Sequence, residues 1–125
     1  EIQSCLHDVV WDNDLGTASV YKWKGHIAKY KAQSKLVAIA GKTGTAQVFE
    51  NGRYYSNKHR MSFVGYFPEE ETQYTCICVI HAPRNRGYYD AGADCGSVVR
   101  QIAEKTMAYS NEYVIDGNKL IFRKK

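Results

Sequence analysis

The sequence lacks any long hydrophobic run. No stretch of its 125 residues approaches the ~18 consecutive apolar residues that a membrane-spanning helix needs, and the first residues lack the charged start and apolar core of a signal peptide. We therefore expect any membrane anchor to lie outside this chain. Its length and its apolar and charged fractions are those of one ordinary globular domain, which argues against disorder.

Clustered positive charge is also scarce. The net charge is +4, yet the lysines and arginines are scattered, and the one cluster is the terminal Arg123-Lys124-Lys125 run. Scattered basic residues give weak support for nucleic-acid binding. We therefore expect no nucleic-acid partner.

The four cysteines form no C-x-x-C motif. Cys76 and Cys78 lie two positions apart, so in a strand they share one face and are predicted to fill the core. A disulfide from Cys5 or Cys95 to this pair stays open if the compartment is oxidising. We expect no metal site, because no histidine has a recognised zinc-ligand spacing to these cysteines.

Apolar periodicity predicts one helix near each end of the chain. Residues 2–10 carry apolar side chains at helical spacing, and Asn13 and Gly16 are expected to end that helix. Residues 99–107 repeat the same spacing, with Asp94 as the expected N-cap. The two helices are predicted to cover one face of a sheet.

The middle of the chain predicts that sheet. Asn51-Gly52 is the strongest hairpin signal in the sequence. Three long strands with short connections give an antiparallel meander, at residues 36–49, 60–67 and 74–81. The segments expected to be irregular are 17–34, 56–59 and 82–94.

Residues 110–125 are predicted to form a separate extension, so the expected division is 1–109 and 110–125. Residues 113–122 indicate another hairpin, turning at Asp116-Gly117 or Gly117-Asn118. A solitary two-stranded ribbon is marginal in water, so we expect it to dock on the body or pair with another chain.

Residues 40–47 read Ala-Gly-Lys-Thr-Gly-Thr-Ala-Gln and place a cation and two hydroxyls inside an apolar, strand-like stretch. A charge in that setting must be satisfied, and the Gly/Thr run leaves room for an extended ligand against the backbone. We interpret the stretch as an anion-binding strand edge. The Walker phosphate loop is excluded, because Leu36 stands where it needs a glycine and no helix follows Lys42. The alternative is an ordinary strand with an exposed lysine and a glycine bulge.

Four ordered segments resemble the C-terminal part of the transpeptidase domain of class B penicillin-binding proteins, which are serine acyltransferases related to the serine β-lactamases. The segments are the 40–47 block, Ser-Phe-Val-Gly-Tyr-Phe-Pro at 62–68, the strand at 74–80 and the small-residue loop and helix at 92–105. The resemblance covers roughly residues 9–109. It implies an α+β fragment of the penicillin-binding transpeptidase fold, with an antiparallel sheet of about three main strands plus hairpins against an N-terminal and a C-terminal helix.

The resemblance also implies roles for the residues that match the K-T-G motif. Lys42 is expected to act catalytically by supplying positive potential for proton transfer and for the substrate carboxylate, in a place partly excluded from water. The Thr43 and Thr45 hydroxyls are expected to hold the substrate's terminal carboxylate, and the Thr45 N–H to serve catalytically in the oxyanion hole. Gly44 is expected to let the acyl group approach, and Gln47 is a further candidate for the ligand groove.

The implied reaction is serine acyl transfer between D-alanyl-D-alanine stem peptides of peptidoglycan, with no metal or organic cofactor, and β-lactams are expected to bind the same groove. The Ser-x-x-Lys nucleophile motif is expected in the longer parent protein. The match at Ser19 and Lys22 lies too close to Lys42 and outside any buried helix, and the Tyr-Ser-Asn match at 55–57 follows Lys42 instead of preceding it. The isolated chain is therefore expected to be inactive.

The resemblance further implies an extracytoplasmic location, on the periplasmic face of the cytoplasmic membrane, for a parent anchored by a segment absent here. An uncovered strand edge or apolar face predicts that the isolated chain self-associates. Two alternatives stay open: a piece of a serine β-lactamase or β-lactam sensor domain, and a non-catalytic anion-binding module.

Overall fold

The protein has the α+β architecture that the sequence predicts. The computed structural model describes residues 1–81, 90–109, 113–116 and 119–122, without the side chains of residues 56–57 or of those beyond 109. Its elements in chain order are α1 Ile2–Trp11, β1 Val20–Trp23, β2 His26–Tyr30, β3 Ala40–Glu50, β4 Arg53–Phe67, β5 Tyr74–His81, a π-helical turn Gly92–Gly96, α2 Ser97–Tyr109, β6 Tyr113–Asp116 and β7 Lys119–Phe122.

The central sheet is the predicted antiparallel meander, with strand order β3-β4-β5. Its first hairpin turns at Asn51-Gly52, where both residues have positive φ angles of 53° and 77°. Glycine and asparagine tolerate that backbone region, and the two-residue turn sets Glu50 opposite Arg53. The hairpin signal in the sequence is confirmed.

The predicted loop at 56–59 is wrong, because β4 runs through it without a break. The register slips instead: Gln47 pairs with His59, but the next residue, Val48, pairs with Tyr55. Residues 56–58 therefore bulge out of a continuous strand. A bulge inserts unpaired polar residues locally, and in the sequence it gives the same signal as a short loop.

The predicted irregular segment at 17–34 contains a second hairpin, β1–β2. It turns at Lys24-Gly25, which have φ angles of 50° and 79°. Three of the four residues of β1 are exposed, and so are most residues of β2. An exposed ribbon has no alternation between buried and solvent-facing positions, so the strand period was not visible in the sequence.

The start of the first long strand also differs from the prediction. The strand begins at Ala40, not at Leu36. The hydroxyl of Ser34 accepts hydrogen bonds from the backbone N–H groups of Leu36 and Val37, at 3.0 and 3.2 Å. This side-chain turn competes with extended backbone and delays the strand.

The two helices pack against one face of the central sheet, as predicted. Helix α1 contacts β3, and α2 contacts β4 and β5. The indole N–H of Trp11 donates to the carbonyl of Ile39 at 2.9 Å, which ties the end of α1 to the chain entering β3. The main buried side chains between helices and sheet are Val10, Val37, Ile39, Met61, Phe63, Phe67, Val99, Ala103 and Met107.

The predicted helix cap at Asp94 is wrong, because Asp94 lies inside the π-helical turn. A free N–H group of the first turn is bonded by Asp90, four residues before Asp94. The carboxylate of Asp90 accepts a hydrogen bond from the N–H of Ala93 at 2.9 Å. An acidic side chain at that end also complements the helix dipole. Most of the predicted 82–94 loop lies outside the described residues.

The predicted C-terminal hairpin is confirmed as β6 paired with β7. Asp116 lies opposite Lys119, so the connection is residues 117–118, which lie outside the described part of the chain. The ribbon forms its own two-stranded sheet. Among the described helices, none is long and apolar enough to cross a membrane.

Candidate active site

Strand β3 is the edge strand of the central sheet, and its outer edge carries the K-T-G residues. In an antiparallel ladder, alternate residues direct their N–H and C=O groups to opposite edges. The Ile39 carbonyl accepts from Trp11 of α1 on the outer side, and the Thr43 carbonyl accepts from the ammonium of Lys42 at 3.0 Å. The register from residue 40 to 47 is unbroken. Since these two carbonyls are bonded by side chains outside β4, we infer that the N–H of Thr45, two residues after Thr43, is directed to the outer edge as well.

The hydroxyl-bearing residues of the motif line a depression of about 300 Å³ on one side of this edge, which we call the threonine depression. Thr43 and Thr45 form its β3 wall. The hydroxyl of Thr43 lies 2.8 Å from the hydroxyl of Thr17, which follows α1. The structure thus brings together the two threonines predicted from the sequence and adds a third that the sequence analysis missed.

An ion pair forms the opposite wall of the threonine depression. The ammonium of Lys31 lies 2.9 Å from the carboxylate of Asp90, and both side chains are mostly buried. The same ammonium lies 3.3 Å from the carbonyl oxygen of Thr17. Neither Lys31 nor Asp90 was predicted, because they lie 59 positions apart (90 minus 31) in segments expected to be irregular.

Lys42 lines a second depression, of about 340 Å³, on the α1 side of the edge. Its neighbours there include Asp8 and Asp12 of α1 and the following turn. The N–H groups of Leu15 and Asp14 lower the pKa of Asp12 by bonding its carboxylate. Lys42 itself is exposed, so the partial exclusion from water that the resemblance implies is absent in this chain.

The remaining two candidates lie on β3 beside and beyond these depressions. A Cβ added to Gly44 would come 2.7 Å from the hydroxyl of Ser62 on β4, so a larger residue there would displace the Ser62 side chain. Gln47 is exposed where the β4 register slips, and it lines neither the depression with Thr43 and Thr45 nor the one with Lys42.

Comparison with known protein families identifies the family to which this chain belongs. Residues 1–107 match the sequence model of the penicillin binding protein transpeptidase domain. The chain belongs to this family.

Known proteins are similar in sequence to parts of this chain. The probable peptidoglycan D,D-transpeptidase PenA of Neisseria gonorrhoeae is 41% identical over 51 residues, which are 41% of this chain and 9% of PenA. The peptidoglycan D,D-transpeptidase FtsI of Buchnera aphidicola is 30% identical over 84 residues, which are 67% of this chain and 14% of FtsI. The chain therefore spans a small part of the length of these relatives.

A solved structure of the family confirms the fold. Penicillin binding protein 3 of Mycobacterium tuberculosis, in its apo form, superposes with a TM-score of 0.59 at 21% identity. The superposition covers 98% of this chain and 27% of that protein. The α+β fragment of the penicillin-binding transpeptidase fold is thus the architecture of this chain.

The serine of the Ser-x-x-Lys match has a structural role in the described chain. Ser19 is fully buried, and its hydroxyl donates to the carbonyl of Gly16 at 3.0 Å. Its partner in the motif, Lys22, forms an ion pair with Asp14 at 2.7 Å. The Ser56 and Asn57 side chains of the other match lie outside the described residues.

One of the four cysteines, Cys5, lies at the candidate site, where it lines the depression that contains Lys42. All four cysteines are free, with Cys5 exposed and Cys95 buried. The side chains of Cys76 and Cys78 pack against the core, as the sequence predicted. Within the described ranges, no three metal-ligating side chains come together.

Proposed function

We propose that this chain is the K-T-G part of a D,D-transpeptidase that cross-links peptidoglycan stem peptides. The observation that carries the proposal is the outer edge of β3. That edge presents the N–H of Thr45, with the Lys42 ammonium on one side and the Thr43 and Thr45 hydroxyls on the other. An extended peptide lying along such an edge meets a hydrogen-bond donor, a cation and two hydroxyls.

In the proposed reaction, a serine outside this chain attacks the penultimate D-alanine carbonyl. The ester bond to serine forms, the amide bond breaks, and D-alanine leaves with the transferred proton. An amine of a neighbouring stem peptide then attacks the ester carbonyl, so that a new amide bond forms, the ester bond breaks and the serine oxygen takes a proton from the amine. The Thr45 N–H stabilises the oxyanion of each tetrahedral intermediate, and the Thr43 and Thr45 hydroxyls hold the departing residue's carboxylate.

The electrostatics favour this assignment of roles. The ammonium of Lys42 is bound by a carbonyl oxygen, at 3.0 Å, and forms no ion pair among the described residues. An ammonium held by a neutral acceptor is not neutralised by a paired carboxylate, so it stays available to an anionic ligand. A β-lactam carries a carboxylate in the matching position, so penicillin is the proposed inhibitor of this site.

The proposed location follows from the substrate. The named relatives are peptidoglycan transpeptidases, and peptidoglycan lies outside the cytoplasmic membrane. We place the parent protein on the periplasmic face of that membrane.

Covalent labelling by fluorescent penicillin tests the proposal. In the protein that contains this segment, Lys42→Ala is expected to slow acylation about 100-fold, the usual loss for one electrostatic group at such a site. Lys29→Ala, which removes an equal charge from the exposed β2 strand, is the matched control and should leave acylation unchanged. Unaltered labelling of the Lys42 variant would contradict the proposal.

The isolated chain provides a second test. It is expected to stay unlabelled, because the only Ser-x-x-Lys serine among the described residues, Ser19, is fully buried. Stoichiometric labelling at Ser19, located by peptide mass spectrometry, would show that the nucleophile lies in this chain after all.

A further inference from the structure

We infer that Thr17 is a positioning residue, which orients the Thr43 hydroxyl so that its proton points at the carboxylate of the bound peptide. The inference rests on the proposed function and extends its site to a residue outside the K-T-G motif. The two hydroxyl oxygens lie 2.8 Å apart, and both face the threonine depression.

Counting protons fixes the direction of this hydrogen bond. A hydroxyl has one proton to donate, and a carboxylate can only accept. Thr43 can therefore donate to the ligand and keep its bond to Thr17 only if its oxygen accepts from Thr17. In the opposite arrangement Thr43 donates its proton to Thr17, and the lone pairs of the Thr43 oxygen then face the carboxylate of the ligand. The ligated state thus requires a chain in which Thr17 donates to Thr43 and Thr43 donates to the carboxylate, and such chains strengthen each bond.

The backbone of Thr17 is held from two other parts of the chain. Lys31, at the base of the β1–β2 hairpin, places its ammonium 3.3 Å from the Thr17 carbonyl oxygen and is itself fixed by Asp90 at 2.9 Å. Gly92, after Asp90, packs so closely that an added Cβ would lie 2.1 Å from the same carbonyl. Residues in the hairpin base and in the segment before α2 therefore set where the Thr17 hydroxyl lies.

Thr17 also lines both depressions, the one with Thr43 and Thr45 and the one with Lys42. Thr17 is thus shared by the depressions on the two sides of the β3 edge. A shift of Thr17 is expected to alter the carboxylate-binding side directly, through Thr43, while the Lys42 ammonium keeps its own bond to the Thr43 carbonyl.

The test compares Thr17→Val with Thr17→Ser in the protein that contains this segment. Valine keeps the shape and removes the hydroxyl, whereas serine keeps the donor. We expect Thr17→Val to weaken the non-covalent binding of penicillin about fivefold, the usual size of one hydrogen-bond loss. The rate constant of acylation from the bound state should change less, and Thr17→Ser should bind like the parent.

Binding of a penicillin methyl ester, which lacks the carboxylate, separates a positioning role of Thr17 from a merely structural one. Thr17→Val should bind the ester as well as the parent protein does. In addition, Thr43→Val and the double variant Thr17→Val with Thr43→Val should bind the acid equally weakly, because Thr17 acts through Thr43. Equal losses with acid and ester, or additive losses in the double variant, would overturn the inference.

The two proposals fail in different ways. If Thr43→Val binds the acid as tightly as the parent, the proposed carboxylate site itself is wrong, and the role of Thr17 is overturned with it. If Thr43→Val weakens binding but Thr17→Val does not, only the positioning role is overturned.

Discussion

The two faces of the central sheet contrast sharply, although one set of strands builds both. The face toward the helices buries Met61, Phe63 and Phe67 of β4 completely or almost so. The other face leaves apolar side chains in water. They are Val64 at 39% exposure, Ile77 at 61% and Val79 at 51%.

This contrast shows that β-strand alternation by itself does not identify a core. Phe63 pairs with Cys78 across the ladder, and the next pair is Val64 with Ile77. Both pairs are apolar, so the sequence marks both faces as equally suited to burial. Helices α1 and α2 cover only the first face. A contiguous apolar patch on the second is the usual mark of a contact surface.

The largest expected effect comes from truncating neighbouring residues on the two faces. Phe63→Ala should lower the free energy of unfolding by about 3–5 kcal/mol, because it leaves a cavity among packed side chains. Val64→Ala, one residue along the same strand, should cost well under ~1 kcal/mol, since its side chain is already partly in water. Urea unfolding of both variants checks this, and equal losses would mean that the second face is also covered in solution.

The sequence predicted those parts of the fold whose signals are local. The Asn51-Gly52 turn, the three long strands and both helices follow from turn chemistry and apolar period. The β1–β2 hairpin was missed because exposed strands carry no such period. The bulge at 56–58 was missed because register depends on the partner strand.

The candidate site shows the same limit. Lys42, Thr43 and Thr45 were predicted because they share one short motif on β3. Thr17, Lys31 and Asp90 reach the site through tertiary contacts between distant segments, which no spacing in the sequence encodes. The close approach of Gly92 to Thr17 likewise joins segments that are far apart in the sequence.

The second-largest expected effect is a loss of stability at alkaline pH, caused by a buried thiol on the covered face. Burial, together with a hydrogen bond and charge repulsion from Cys78, raises the pKa of Cys95 from 9.0 to about 12. Between pH 9 and pH 12 the thiol of Cys95 loses its proton in the unfolded chain but keeps it in the folded chain. The buried thiol therefore stabilises the fold fully below pH 9, and this contribution is lost as the pH rises toward 12. The free energy of unfolding should therefore fall by ~1.4 kcal/mol per pH unit above 9 from this thiol alone.

Two variants isolate that contribution from other groups that titrate at high pH. Cys95→Ala should remove the extra slope in urea unfolding between pH 9 and 10, whereas Cys5→Ala, which changes an exposed thiol, should keep it. A slope that is the same in Cys95→Ala and in the parent chain would show that Cys95 is not shielded from water.

The smallest effect concerns the exposed face, which we expect to drive self-association of the isolated chain. Ile77→Lys should weaken that association about fivefold, the effect of losing ~1 kcal/mol at an interface, because a charge then has to be buried in the contact. Leu15→Lys changes an apolar residue with 83% exposure that does not belong to the second face of the sheet, and it should leave the association unchanged. Sedimentation equilibrium over a range of concentrations measures both. If the parent chain stays monomeric at high concentration, the exposed apolar face does not drive association. If both variants weaken association equally, the apolar residues of the second face do not form the contact.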